Sequence, residues 1–175
     1  MSAAPDTAAT RHVAAVLAQH GMADRLKALA ETARSAEEAA ASLGVAVEAI
    51  VKTLIFEYIP ETGPLAGEVM PLAVLISGDR RCLTGVIPEV LGLGGKVMRP
   101  DAARVKDLTG YSIGGVSPVG LNDDVVVLID AALARSDTVW AAAGHTHLVF
   151  GCSFAELEQI TCGRVSGDIG ENINI

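Results

Sequence analysis

Lys52 lies inside an otherwise apolar run, which is an uncommon position for a charged residue. Apolar residues 49–51 precede it and apolar residues 54–56 follow it, and a strand here would place it on one face with Leu54 and Phe56. Taking an ammonium group out of water is costly unless an anion meets it. From the residues alone two interpretations remain open: a lysine that binds an anionic ligand, or a strand-edge lysine whose side chain reaches water.

The segment 109–120, TGYSIGGVSPVG, is the second candidate for chemistry. Its four glycines and one proline exclude a regular element and allow backbone conformations that other residues avoid. Such a loop can direct several N–H groups at one point, as anion-binding nests and oxyanion holes do. Its spacing is not that of a phosphate-binding P-loop or a dinucleotide fingerprint. A purely structural crossover remains the alternative.

Polar residues at two strand ends complete the candidates. His145 and His147 share a face of a strand, but no third ligand is evident, so we predict no metal and no cofactor. A single histidine serving as a proton carrier or hydrogen-bond donor in a pocket is the better interpretation. Asp130 ends an apolar strand and either caps the following turn or lines a site. Because no nucleophile elbow and no Cys–His pair occurs, covalent catalysis is not expected.

The helices and strands that must position these residues can be predicted from the periodicity of apolar residues and from capping residues and glycines. We predict a helix over 9–33 broken at Gly21, then a capping box at Ser35 and Glu38 that opens a helix over 36–43 ending at Gly44. Further helices are predicted at 87–91, 102–109 and 154–161, and strands at 50–59, 71–77, 96–99, 125–130, 138–143 and 147–150, with a short edge strand within 164–169. This order is typical of an α+β (mixed α/β) fold in one domain over 1–175, with 1–10 and the last residues frayed.

Composition narrows the class of protein. The 175 residues contain no apolar run long enough to span a membrane and no secretory signal, which predicts a cytoplasmic protein whose three cysteines are free and mostly buried. A net charge of −8 argues against a general nucleic-acid binder. The basic residues nevertheless concentrate between 80 and 106, either as ordinary surface or as a local phosphate-facing patch.

Taken together, these motifs resemble the YbaK/EbsC-like aminoacyl-tRNA deacylases, which are related to the editing insertion of bacterial prolyl-tRNA synthetase. The resemblance covers about residues 36–169, and several segments in the same order and spacing carry it: SAEEAA (35–40), IVKTLIF (50–56), ISGDRR (76–81), TGY (109–111), GGVSP (114–118), AAGH (142–145) and FAEL (154–157).

The resemblance implies a mixed, partly barrel-like β-sheet flanked by helices, and hydrolysis of mischarged tRNA of the Cys-tRNA(Pro) or Ala-tRNA(Pro) type. The partners would be the tRNA acceptor end and prolyl-tRNA synthetase. Lys52 would position the acceptor end, and the N–H groups of Gly114, Gly115 and Val116 would bind the ester carbonyl. The expected substrate-binding residues are Thr53, Tyr111, Ser117, Pro118, Asp130, Gly144 and His145, of which Ser117 and Pro118 would shape the loop while Asp130 and His145 line the aminoacyl pocket. The attacking group would be water, a ribose hydroxyl or the side chain of the amino acid itself.

Two other functions compete with this one. A non-catalytic module could use the same fold to bind a nucleotide or an aminoacyl derivative, because fold does not fix function. Retention of both Lys52 and the glycine loop favours the enzyme. Direct DNA binding is disfavoured by the acidic charge balance and by the lack of a recognition-helix motif.

Overall fold

The computed structural model describes residues 3–173 and has a mixed α+β architecture. Five α-helices occur in this range: α1 Ala8–Gln19, α2 Ala36–Leu43, α3 Ile87–Leu91, α4 Ala102–Thr109 and α5 Phe154–Thr161. The strands are β1 Leu26–Ala28, β2 Ile50–Ile59, β3 Met70–Ser77, β4 Arg80–Cys82, β5 Lys96–Met98, β6 Val126–Asp130, β7 Val139–His145, β8 Leu148–Cys152, β9 Arg164–Ser166 and β10 Gly170–Asn172.

The large sheet has the order β1-β8-β7-β2-β3-β6-β9 and curls into a half-barrel, as expected. Strands β2 and β3 pair antiparallel along nearly their whole length, whereas β7 pairs parallel to β2, and β6 parallel to β3. Strand β5 joins the far end of β2, and β4 pairs with β10 in a separate small sheet. β2 therefore meets two different strands along the edge opposite β3.

Side chains from both faces of β2 and β3 are buried, which explains their nearly continuous apolar sequences. On one face α1 and α5 cover a core that includes Val13, Leu17 and Leu157, each 0% exposed. On the other face α3 covers a smaller core around Phe56 and Ile76. Helix α2 packs against Ile50 and Trp140 at the point where β2 meets β7.

Most predicted elements are confirmed with boundaries shifted by one or two residues, but the second half of the helix predicted over 9–33 is wrong. Gly21 ends the helical region in a left-handed conformation at φ 70°, and Leu26–Ala28 then forms strand β1 beside Leu148–Phe150. Pairing with β8 overrides the helical spacing of the leucines. Periodicity in the sequence carries no information about a strand partner so far along the chain.

The chain termini are more ordered than predicted. Helix α1 begins at Ala8, because the Thr7 hydroxyl accepts a hydrogen bond from the Thr10 N–H and the Thr10 hydroxyl accepts one from the Thr7 N–H. Near the other end, β10 extends to Asn172. Residues 1–2 and 174–175, for which fraying was also predicted, lie outside the described range.

Within that range no helix is both long and apolar enough to cross a membrane. The three cysteines are free, as predicted, but only Cys152 is fully buried; Cys82 is partly exposed and Cys162 is exposed.

Candidate active site

The candidate site lies where the edge of β2 is unpaired. The ladder to β7 ends at Val51↔Ala141, and the ladder to β5 starts at Glu57↔Met98. On the other edge, the Ile50 carbonyl accepts a hydrogen bond from the Gly78 N–H, and alternate residues of β2 bond to β3 in the same way. The backbone N–H and C=O groups of Thr53 and Ile55 therefore point away from β3 and into this gap. We call the gap at residues 52–56 the β2 cleft.

Two cavities open along the β2 cleft. The first has a volume of about 280 Å³ and is mainly apolar. Its walls come from α2 and the segment before it, the start of β2, the glycine loop and β7–β8: Leu29, Ala33, Arg34, Ser35, Ala36, Ala39, Ile50, Val51, Lys52, Thr53, Leu54, Ile113, Gly114, Val116, Trp140, Ala142, His145, Thr146 and Val149. The second has a volume of about 220 Å³ and shares Thr53, Leu54, Ile113, Gly114 and Val116 with the first.

Lys52 borders the first cavity and is half-buried. Its Nζ donates a hydrogen bond to the backbone carbonyl of Arg80. Burial lowers the pKa of Lys52, and the nearby carboxylates of Glu37 and Asp79 act in the opposite direction. An ammonium has three donors, so a carbonyl partner leaves it able to bind an anion from the cavity side.

Tyr111, Ser117 and Pro118 anchor the glycine loop and line neither of these two cavities. Tyr111 is 1% exposed, its hydroxyl donates to the Val119 carbonyl at 2.7 Å, and burial raises its pKa. The Ser117 hydroxyl accepts from the Val119 N–H at 3.4 Å, and Pro118 is buried beside it. Among the residues expected to bind substrate, Tyr111, Ser117 and Pro118 therefore lie behind the loop and hold its shape.

Of the three loop N–H groups expected to bind the ester carbonyl, one already has an acceptor within the fold. The Gly115 N–H already donates to the Ser112 carbonyl at 2.9 Å, and Gly115 is buried against the backbone of His145. Within residues 3–173 the N–H groups of Gly114 and Val116 have no acceptor, and both residues line the two cavities. Gly114 has φ +95°, a conformation that favours glycine.

His145 reaches the first cavity because β7 bulges just before it. Gly144, at φ +92°, forms this irregularity and lies so close to Ala9 that a Cβ would come within 2.9 Å of the Ala9 backbone. The Nδ1 atom of His145 accepts from the His147 N–H at 3.1 Å, which assigns the proton of a neutral ring to Nε2. Gly144 thus positions His145 from behind, and His145 is a hydrogen-bond donor at the cavity wall.

Asp130 is not among the residues that line either cavity. Its side chain is 0% exposed and accepts from Arg80 Nε at 2.9 Å, the Ala132 N–H at 3.1 Å and the Ser77 N–H at 3.4 Å. Hydrogen bonds connect Asp130 to Lys52 through Arg80, because the Arg80 guanidinium donates to Asp130 and the Arg80 carbonyl accepts from Lys52. Of the two interpretations left open for Asp130, the structure favours the cap.

Half of the six basic residues in the segment between 80 and 106 form ion pairs within the fold. Three of its arginines pair with carboxylates: Arg80 with Asp130, Arg81 with Glu171 and Arg104 with Glu57. Lys106 donates to the Gly110 carbonyl at 3.0 Å. The segment is therefore not a continuous phosphate-facing patch, and Arg99 is the member that lines a cavity.

Several lining residues were not identified from the sequence. Ala36 and Ala39 form an apolar wall three residues apart on α2, and Trp140, the chain's single tryptophan, lies opposite them in β7. Alanines allow two elements to pack closely, but the sequence does not show which element packs against them.

The Thr53 hydroxyl is buried without a hydrogen-bond partner in the described chain, consistent with its expected place at the site. Across residues 3–173 no group of three or more His, Cys, Asp or Glu side chains could hold a metal.

Known proteins share the part of the chain that contains this site. Residues 30–160 match the model of the aminoacyl-tRNA editing domain. The chain belongs to the aminoacyl-tRNA editing domain family. The matched range contains the β2 cleft, Lys52, the glycine loop and His145.

Relatives in this family include both free-standing proteins and parts of larger ones. The uncharacterized protein YwhH of Bacillus subtilis is 28% identical over 134 residues, covering 76% of this chain and 78% of that protein. A proline–tRNA ligase of Desulfovibrio desulfuricans is 36% identical over 118 residues, covering 66% of this chain but only 18% of the ligase. A crystal structure described as a proposed trans-editing enzyme for prolyl tRNA synthetase superimposes with a TM-score of 0.80 at 31% identity, covering 96% of this chain and 100% of that one.

Proposed function

We propose that this protein is a trans-editing deacylase that hydrolyses mischarged aminoacyl-tRNA of the Cys-tRNA(Pro) or Ala-tRNA(Pro) type in the cytoplasm. One observation carries the proposal: within an editing-domain fold, one apolar cavity is lined by a half-buried lysine and by Gly114 and Val116, whose N–H groups have no acceptor among residues 3–173. Action in trans is supported by the neighbouring structure described as such, which this chain covers completely.

Each of these residues has a separate role in the proposed reaction. Lys52 binds the negatively charged acceptor end and holds the ester at the cleft. The N–H groups of Gly114 and Val116 donate to the carbonyl oxygen and stabilise the negative charge that develops when the carbonyl carbon is attacked. His145, protonated at Nε2, donates a hydrogen bond from the opposite wall.

Hydrolysis then needs no nucleophile from the protein. Water adds to the ester carbon, the bond to the ribose oxygen breaks, and that oxygen takes a proton as the ribose hydroxyl reforms. A ribose hydroxyl or the side chain of the bound amino acid could attack first in place of water. The cavity supplies position and charge stabilisation, which account for a large share of catalysis at such sites.

The first cavity favours an amino acid whose side chain is small and uncharged. Ala33, Ala36, Ala39, Ala142 and Val149 form much of its wall, and among the residues described no carboxylate lines it. The side chains of alanine and cysteine bring no charge that this wall would leave unpaired. Apolar pockets discriminate by only about 1–3 kcal/mol per methylene, so activity on more than one small amino acid is expected.

A panel of labelled aminoacyl-tRNAs tests the proposal. The panel contains Cys-tRNA(Pro), Ala-tRNA(Pro) and Pro-tRNA(Pro), together with Ala-tRNA(Ala), assayed with and without prolyl-tRNA synthetase. We expect hydrolysis of the mischarged tRNA(Pro) species in preference to Pro-tRNA(Pro). Failure to hydrolyse any of them, with the synthetase present, would instead favour a binding module that retains the fold.

A further inference from the structure

The second cavity continues the first along the β2 cleft, and the two share Thr53, Leu54, Ile113, Gly114 and Val116. Gly114 and Val116, whose N–H groups have no acceptor among residues 3–173, belong to this shared wall. A ligand whose scissile ester sat there would extend in both directions, with one part in each cavity. If the acyl group occupies the first cavity, the group on the alcohol side of the ester meets the second.

The second cavity contains a flat cation supported by an aromatic ring. The Cζ atom of Arg99 lies over the Phe56 ring at 5.7 Å from its centroid. Phe56 is 2% exposed whereas Arg99 is exposed, so the guanidinium lies over a buried ring and keeps surface that is open to solvent. Guanidinium planes and aromatic rings are the groups on which proteins stack unpaired nucleobases.

Arg99 is also available for such a contact. Arg80, Arg81 and Arg104 each pair with a carboxylate, but across residues 3–173 Arg99 has neither an ion pair nor a hydrogen bond through its side chain. Ile113 lines the same cavity as Arg99, is shared with the first cavity and is 63% exposed. A planar group stacked on Arg99 would cover this apolar side chain.

We propose that the second cavity is a nucleobase subsite, in which the 3′-terminal adenine of the substrate stacks on the open face of Arg99 beside Ile113. The inference rests on the proposed function, because it places the alcohol side of the ester in this cavity. The adenine makes no ionic contact with Arg99; the guanidinium contributes its plane. A lysine at this position would keep the charge and lose the stacking surface.

Adenosine 5′-monophosphate binding to the full chain tests the subsite directly, with ribose 5-phosphate as the ligand that lacks a base. The variants are R99A and R99K, with R81A as the matched control, because Arg81 is exposed and paired with Glu171 away from both cavities. We expect R99A and R99K each to raise the dissociation constant for the nucleotide about tenfold, as loss of one stacking contact does, and R81A to leave it unchanged. Ribose 5-phosphate should bind more weakly and respond little to R99A.

The outcomes separate this inference from the proposed deacylase. R99K binding as well as wild type, or equal affinity for the two ligands, would show that Arg99 contacts phosphate and would overturn the stacking proposal. Unchanged nucleotide binding and unchanged KM for deacylation in R99A would also overturn it while the deacylase stands. Base-dependent binding in a wild-type protein that hydrolyses no aminoacyl-tRNA would keep the subsite and reject the enzyme. Thermal melting of each variant checks that the fold is retained.

Discussion

Replacing Asp130 with asparagine tests the role that the structure gives this residue. The carboxylate is 0% exposed and accepts three hydrogen bonds, one from the Arg80 guanidinium and two from backbone N–H groups. An asparagine of nearly the same volume retains only one acceptor oxygen. Its amide nitrogen must then face at least one of these donors, and Arg80 loses its buried counter-charge.

The expected loss is about 3 kcal/mol in the free energy of unfolding. Removing one partner of a buried ion pair costs about 3–5 kcal/mol. The lower end applies here because Arg80 is 15% exposed and keeps the Gly170 carbonyl and the Asn172 side chain as acceptors. Because the Arg80 carbonyl holds Lys52, we also expect weaker deacylation by the folded variant, without a change in amino-acid preference.

Urea denaturation at neutral pH, followed by circular dichroism, measures this loss. The control is Asp137→Asn, at an exposed position, for which a change within about 0.5 kcal/mol is expected. Asp130→Asn stability within that same margin would refute the structural role. An altered ranking of Cys-tRNA(Pro) and Ala-tRNA(Pro), with stability unchanged, would return Asp130 to the aminoacyl pocket.

Three further perturbations address the cavity, the loop and the lysine. Ala39→Leu fills part of the first cavity and should lower kcat/KM for Cys-tRNA(Pro) about tenfold more than for Ala-tRNA(Pro); equal effects would contradict a wall at Ala39. Gly115→Ala places a Cβ 2.9 Å from the His145 backbone, so it should cost about 1–3 kcal/mol of stability and reduce deacylation. The control Gly85→Ala, whose Cβ would have nothing within 4 Å, should leave stability nearly unchanged. The same shift in melting temperature for both variants would disprove the close contact. Burial lowers the pKa of Lys52, so the rate of enzymatic deacylation should fall as pH rises, with a midpoint below the ordinary lysine value of about 10.5. The rates are corrected for spontaneous hydrolysis of the ester. Activity undiminished up to that pH would argue against a charged Lys52.

The sequence was most informative where local rules decide the structure. Gly44 and Gly110 end helices in the left-handed conformation, and β-branched and aromatic residues mark β2, so these boundaries could be predicted closely. The segment Leu26–Ala28 could not, because its strand depends on pairing with residues more than 100 positions away.

The same distinction holds for the site. Lys52, the glycine loop and His145 stand out by residue type, and the structure brings them to one cleft. The cleft itself arises because β2 changes partner from β7 to β5, a property of the sheet that no local pattern encodes. Internal hydrogen bonds likewise decide that the Gly115 N–H is occupied and that Asp130 faces Arg80.

Single-turnover deacylation of Cys-tRNA(Pro) and Ala-tRNA(Pro) by wild type and Lys52→Met tests the central claim most directly. Methionine keeps most of the side-chain length and removes the charge, and Lys96→Met, at an exposed position of β5, is the control. We expect a loss of about 100- to 1000-fold for Lys52→Met, with an unchanged circular dichroism spectrum and no loss for Lys96→Met. Wild-type rates in a folded Lys52→Met protein would contradict it.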